Sequence, residues 1–248
     1  MASAAKKKIV VCGGNGFLGS RICKAACARG WDVTSIRQAS SPSLLLPSHQ
    51  LPTNPHAPSR SGEPTWSSVT SSPDPPPWST SVHWAKGNIL DPSSYTTHLN
   101  GADAVVHSMG ILLEADYKRN PLERHEGQEG GRLSPQEPDG QLTYEVMNRD
   151  SAISLASESS HAGVKDFIYI SAAGGAPVLP ARYITTKREA ESVIASEFPQ
   201  MRSVFFRPGM LWDSSRLFTV PLAAATAVGA IANSLTGNRL TGLMGAGA

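Results

Sequence analysis

The stretch "KKKIVVCGGNGFLGSRICKAACARG", residues 6–30, decides the fold. The apolar run IVVC enters a glycine cluster and leaves it as a helical segment from Phe17 to about Arg29, with Gly30 where a helix C-cap falls. "WDVTSI", residues 31–36, reads as a second strand and completes a βαβ unit. Within it Gly13, Gly16 and Gly19 form GxxGxxG at a strand end and a helix start. The first glycine allows a tight turn, the second lets backbone N–H groups approach a diphosphate, and the third lets helix and strand pack. In this strand–turn–helix setting the cluster points to a nucleotide; the alternative is a bare structural turn.

Composition narrows the field. The 248 residues are 40% hydrophobic, enough to bury the core of one large α/β domain over residues 1–248. The formal charge of +2, from 22 basic and 20 acidic residues, is too balanced for a nucleic-acid footprint. Cys12, Cys23 and Cys27 contain no CxxC pair and supply too few ligands for structural zinc, so no metal is expected. Cys23 and Cys27, four apart, read as small buried thiols on one helix face rather than a disulfide. "MASAAKKK" meets the first strand almost at once, which leaves no room for a signal peptide or an ordinary Arg/Ser-rich presequence.

Further along, the regular pattern breaks and returns. Residues 38–81 carry ten of the nineteen prolines without a sustained period and read as a solvated, low-complexity insertion. "VHWAKGNILDP" restores a strand and turn, and "ADAVVHSMG" a buried strand. A second, polar insertion, residues 114–142, leaves from that strand's end, the ligand edge of an open parallel sheet; a lid, a partner-binding loop and a tolerated surface insertion all suit it. "EVMNRDSAISLASESSHAG" then reads as helix, "VKDFIYISAAGG" as strand, "ARYITTKREAESVIASE" as helix and "MRSVFFRPGMLW" as strand. This order predicts a doubly wound parallel sheet with helices on both faces, a Rossmann-type fold. The tail, residues 213–248, holds an apolar run of about sixteen residues, short of the roughly 20 that a bilayer span needs. A buried or amphipathic helix is the expectation there, with membrane-surface contact as the alternative.

Two constellations carry chemistry. Arg37 stands at the end of the second strand, where an NAD site usually has an acid; an arginine there favours a 2′-phosphate, and hence NADP(H), through a charge-assisted fork. A solvated arginine at a strand exit is the alternative. Tyr183 and Lys187 form YxxxK, and a spacing of four puts both on one helix face, where an ammonium favours the phenolate and brings a phenol towards working pH. Such a tyrosine passes a proton to or from a substrate oxygen. Ser171, twelve residues earlier at a strand end, is the third candidate.

"GGNGFLG", "GNILDP", "VVHSMG", the "YIS" strand, "YITTK" and "RPG" occur in the order found in the short-chain dehydrogenase/reductase superfamily, and the sequence resembles its extended or atypical members over nearly the whole chain. "VVHSMGILLE", "TYEVMN", "YITTKREAE" and "FRPGMLWD" are similar to fungal mitochondrial short-chain-dehydrogenase-like proteins of coenzyme Q biosynthesis. The nucleotide-binding accessory subunit of respiratory complex I is a more distant likeness. By this resemblance Gly13, Asn15, Gly16, Phe17, Leu18 and Gly19 form the diphosphate loop, and Arg37 marks the 2′-phosphate position. Asn88 and Ile89 lie beside the adenine, Ser108, Met109 and Gly110 beside the ribose, and Pro208 and Gly209 near the nicotinamide. Tyr183 and Lys187 become the catalytic pair, which also contacts the cofactor, and Ser171 the substrate hydroxyl partner. Where relatives often carry Asp, this chain has Asn88, and the C-terminal substrate region is short.

The resemblance implies NADP(H), with NAD(H) as the alternative, and a mitochondrial setting on the matrix side of the inner membrane. It implies as partners a dinucleotide, a coenzyme Q biosynthetic protein complex and the inner-membrane surface, with no nucleic acid. Two function classes follow: an NADP-linked oxidoreductase acting on a quinone-pathway intermediate, or a nucleotide-bound scaffold of a mitochondrial assembly without turnover.

Overall fold

The computed structural model describes residues 6–37, 66, 74–111, 143–174, 180–209 and 211. The tail at 213–248, the second insertion at 114–142 and most of the first insertion lie outside the described residues. Residues 1–207 form one compact unit, and residues 208–248 cluster by themselves.

Six strands, β1 (Lys8–Cys12), β2 (Asp32–Arg37), β3 (Val82–Lys86), β4 (Ala104–His107), β5 (Asp166–Ile170) and β6 (Arg202–Phe206), make one sheet in the order β3-β2-β1-β4-β5-β6. Every pairing is parallel. This is the Rossmann order, and the chain reverses direction across the sheet between β1 and β4. β1 is central and covered on both faces, which is why "IVVC" is apolar without alternation and fully buried. Each fully buried valine there contributes about 2 kcal/mol over an exposed one.

The helices divide between the two faces. On one, α1 (Phe17–Ala28) packs Cys23 and Ala26 against Ile9, Val11, Val33 and Val106. On the other, α3 (Ser151–His161) and α4 (Ala181–Glu197) bring Leu155, Ala190 and Ile194 onto Val10, Val105, Phe167 and Tyr169, with Leu99 of the short α2 (Thr96–Leu99) beside them. The doubly wound expectation is met. α1 ends as "ARG" foretells: Gly30 takes φ +73°, its N–H donates to Cys27 O (2.9 Å) and Trp31 N–H to Ala26 O (3.1 Å), the paired bonds of a Schellman turn.

Two expectations need correction. The sequence predicts one solvated insertion over residues 38–81, but Pro77–Ser81 form a 3₁₀ turn, and Trp78 packs onto the α1-side core. Trp66 meets Trp78 and Trp84 edge-on, with centroids at 5.8 and 5.7 Å, so order begins before β3 and rests on tryptophan area that proline counting overlooks. The helix read from Glu145 is also not uniform. Glu145–Asp150 is a π turn that runs into α3.

Candidate functional site

The glycine cluster forms the turn between β1 and α1. Gly13 has φ +88°, and its N–H continues the ladder to Ile36 O at 2.9 Å. A Cβ on Gly19 would stand 2.1 Å from Gly13 O, so helix and strand meet there at backbone distance. Gly14, absent from the sequence-based candidates, is equally confined: its Cβ would lie 2.3 Å from Ser35 Oγ and 2.9 Å from Cys23 Sγ. At Gly16 the nearest atom to a Cβ is Gly13 O at 3.1 Å, which leaves the outer side of the turn bare.

A dinucleotide diphosphate fits this cradle. Gly16 caps α1 without a side-chain hydrogen bond, and no acid occupies the first turn. The positive end of the α1 dipole therefore has no acidic side chain set against it in the first turn. Arg37 is 8% exposed at the end of β2, and its carbonyl accepts from Gly87 N–H at 2.9 Å. Asn88 Oδ1 accepts from Leu90 N–H at 3.1 Å, and Ile89 is buried. Ser108 Oγ donates back to Cys12 O at 2.7 Å, so that hydroxyl ties β4 to β1. Asn15 lies in the turn before Gly16.

The cradle and the YxxxK helix meet through the exit of β4. A Cβ on Gly13 would come within 2.9 Å of Met109 Cγ, and one on Gly110, at φ +145°, within 2.6 Å of Asn148 Oδ1 and 3.7 Å of Lys187 Nζ. Lys187 is 4% exposed, and its ammonium donates to Ile170 O at 3.1 Å. It also lies 5.5 Å from the Tyr183 ring centroid and 5.0 Å from that of Tyr169. Burial pushes its pKa down to about 8. Tyr183 and Lys187 do share one face of α4, as their spacing requires.

The expected lowering of the Tyr183 pKa does not occur in this geometry. Burial, with Tyr144 adding to it, pushes the phenol up. Lys187 stands over the ring rather than beside the hydroxyl, so its charge does little for the phenolate. Tyr144, itself buried, meets Tyr183 edge-on at 5.7 Å.

Ser171 has protein partners of its own at the end of β5. Its Oγ accepts from Arg188 Nη1 at 3.0 Å and is joined to Glu191, while Arg188 Nη2 donates to Ala172 O at 2.7 Å. Glu191, 4% exposed, accepts from Arg188 at 2.7 Å and from Arg207. Burial alone would raise its carboxyl, but the hydrogen bonds from Arg207 and Ser171 and the two arginine charges hold it below the usual range. Ser171 is thus tied into a charged latch between α4 and the ends of β5 and β6. Pro208 and Gly209 fall in the separate unit that begins at residue 208.

Beneath the pair, His107 is fully buried. Ser151 Oγ donates to Met147 O at 2.8 Å, so at 3.0 Å it accepts from His107 Nε2–H, which assigns the tautomer. Burial pushes the imidazole down to about 3, and Lys187 adds to the shift, so the ring is neutral.

Among the described residues no group of three or more His, Cys, Asp or Glu could hold a metal, and no helix is long and apolar enough to cross a membrane.

Residues 9–126 match the family model for the NAD dependent epimerase/dehydratase family. MIOREX complex component 2 of Saccharomyces cerevisiae is 33% identical over 230 residues, which cover 84% of this chain and 74% of that one. The chain belongs to this epimerase/dehydratase family of short-chain dehydrogenase-like proteins. A second relative in sequence, an uncharacterized chloroplastic protein of Arabidopsis thaliana, is 25% identical over 227 residues, 90% of this chain and 57% of that one. Among solved structures, UDP-glucuronic acid 4-epimerase from Bacillus cereus in complex with NAD is similar at 18% identity and a TM-score of 0.48. That match covers 83% of this chain and 57% of the epimerase, so the chain spans little more than half of its length.

The sequence-based candidates omitted Gly14, Asn148, Tyr169, Arg188 and Glu191. Only the doubled glycine of "CGGNG" and the three-residue spacing of Arg188 and Glu191 were visible signals.

Proposed function

We propose that the chain is an NAD(P)-binding oxidoreductase of mitochondrial coenzyme Q biosynthesis that prefers NADP(H) and acts on a quinone-pathway intermediate. The observation that carries the reading is the continuity of the glycine cradle with the Tyr183–Lys187 pair through Met109 and Gly110 at one edge of the sheet. The known NAD complexes among the solved relatives support a nicotinamide dinucleotide, and Arg37 supports the 2′-phosphate. Likeness to a MIOREX complex component supports a mitochondrial placement within a protein assembly, which we put at the matrix side of the inner membrane.

In this mechanism Gly13, Gly16 and Gly19 with the first turn of α1 hold the diphosphate, and Asn15, Asn88, Ile89 and Ser108 border the nucleoside. When bound, the nicotinamide supplies or takes the hydride. Tyr183, whose phenol is held protonated, gives its proton to the substrate oxygen in the reductive direction and recovers it from solvent. The buried Lys187 ammonium stands 5.5 Å from the centre of the tyrosine ring and holds the Ile170 carbonyl at the end of β5.

A second reading, a nucleotide-bound scaffold without turnover, has one observation in its favour. The Ser171 hydroxyl is committed to Arg188 and Glu191 and is not offered to a substrate. Tyr183→Phe keeps the ring and removes the hydroxyl, whereas Gly16→Val fills the cradle. In cells lacking the native protein, the enzyme reading expects both variants to fail to restore coenzyme Q production. Normal production with Tyr183→Phe, at matched protein level, while Gly16→Val fails, supports the scaffold instead.

A further inference from the structure

The π turn Glu145–Asp150 gathers polar contacts from the exits of two strands. A π turn displaces the regular i→i−4 pattern and leaves carbonyls for other donors. Two of them are used here: Met147 O accepts from Ser151 Oγ, and Asn148 O accepts from the Tyr169 hydroxyl at 2.5 Å. The Asn148 side chain, fully buried, turns the other way. Its Oδ1 accepts from Ile111 N–H at 2.9 Å and its Nδ2 donates to Ile111 O at 3.1 Å, clamping the loop that follows β4.

Tyr169 is fully buried on β5, beside its register partner His107. It has one proton, and that proton goes to Asn148 O. Its oxygen lone pairs remain, and the Lys187 ammonium reaches them at 3.5 Å while holding Ile170 O at 3.1 Å. Burial raises the Tyr169 phenol well above its ordinary range, so the hydroxyl keeps its proton and its polarity.

We propose that Tyr169 is a positioning residue: its hydroxyl bridges the Lys187 ammonium to the Asn148 carbonyl, and so links the loop at Gly110–Ile111 to the Tyr183–Lys187 pair. The inference rests on the reading of that pair as part of the functional site. The groups that face Lys187 are His107 from β4, Tyr169 and the Ile170 carbonyl from β5, and Tyr183, Arg188 and Glu191 from its own helix. Tyr169 touches both the ammonium and the turn.

The test uses the full chain with ¹³Cε-labelled lysine, with the Lys187 signal assigned by its loss in Lys187→Met. Tyr169→Phe removes one oxygen that accepts from the ammonium, so the Lys187 titration midpoint is expected to fall by about half a unit or more. Tyr95→Phe serves as the control. Tyr95 is also buried, but its hydroxyl meets Ser154 at 3.3 Å, away from the pair, so the midpoint stays in place. A folded Tyr169→Phe protein with an unmoved midpoint overturns the bridge. Should that variant not fold, the Tyr169 ¹³Cζ resonance is compared between the native chain and Lys187→Met; a shift supports the bridge and its absence overturns it. Calorimetric titration of the native chain with NADPH and NADH is read separately. A chain that binds neither, yet shows the Tyr169-dependent shift, overturns the functional reading and leaves the bridge standing.

Discussion

The turn between β1 and α1 and the junction between β5 and α4 hold the two ends of the candidate site by opposite means. At Gly13–Gly19 the surfaces are backbone: a carbonyl under a helix, amides at its first turn, and space where side chains would be. At β5–α4 they are side chains, with Lys187 between two tyrosine rings and Ser171, Arg188, Glu191 and Arg207 in one charged latch. A backbone site tolerates almost no substitution, since any Cβ is an obstruction. A side-chain site keeps its frame while individual groups change partners, as Ser171 does here.

The largest expected effect tests the backbone half. Gly19→Ala puts a Cβ 2.1 Å from Gly13 O, a contact that only a backbone shift relieves. The variant should lose about 3 kcal/mol of stability in urea unfolding, and its dinucleotide affinity should fall by more than about 100-fold. A near-native unfolding midpoint would break the contrast.

Lys187→Met should act in the other direction on stability. The ammonium has its pKa lowered by burial from 10.5 to about 8, so the folded state holds fewer protons than the unfolded one between those values. Stability of the native chain therefore rises with pH through that window, and the full penalty is present below it. The methionine variant should be more stable at neutral pH by up to about 2 kcal/mol. Its advantage should vanish above the unfolded-state pKa, which denaturation at pH 7, 9 and 11 checks.

Arg37→Ala sharpens the comparison at the far end of the cradle, where a side chain enters an otherwise backbone-built region. NADPH should bind the native chain more tightly than NADH, and the variant should narrow the difference by roughly ten-fold. Equal native affinities by calorimetry would remove the 2′-phosphate role.

The smallest effect is expected at Glu191→Gln. The native carboxyl is held below the usual range by its arginines and Ser171. Its contribution is present above the unfolded carboxylate value of about 4.5 and is lost as pH falls through the lower folded value. Native and variant unfolding midpoints should differ at pH 7 and converge as acid protonates the folded carboxyl. Parallel pH profiles would show that the latch is ornamental.

Much of this was legible in advance because it is local. Glycines three apart between a strand and a helix leave few options for the backbone, and Tyr183 and Lys187 share a face because a helix repeats every 3.6 residues. The "HAG" and "ARG" helix ends were readable for the same reason, since a residue at positive φ favours glycine. By contrast, "TYEVMN" contains ordinary helix formers, and nothing in it announces a π turn. That turn is held by donors from Tyr169 and Ser151 and by the Asn148 clamp on Ile111.

By itself the sequence determined the parallel α/β order, the glycine cradle and the face shared by Tyr183 and Lys187, because each follows from neighbours a few residues apart. Tertiary structure alone decided which partners the polar groups took. It tied Ser171 to a charged latch 17 residues away, stood Lys187 over the Tyr183 ring and against the Tyr169 hydroxyl, and packed Trp78 from a proline-rich stretch onto the core. Spacing fixes direction along one element, whereas a buried donor bonds whatever acceptor the packed elements bring within about 3 Å.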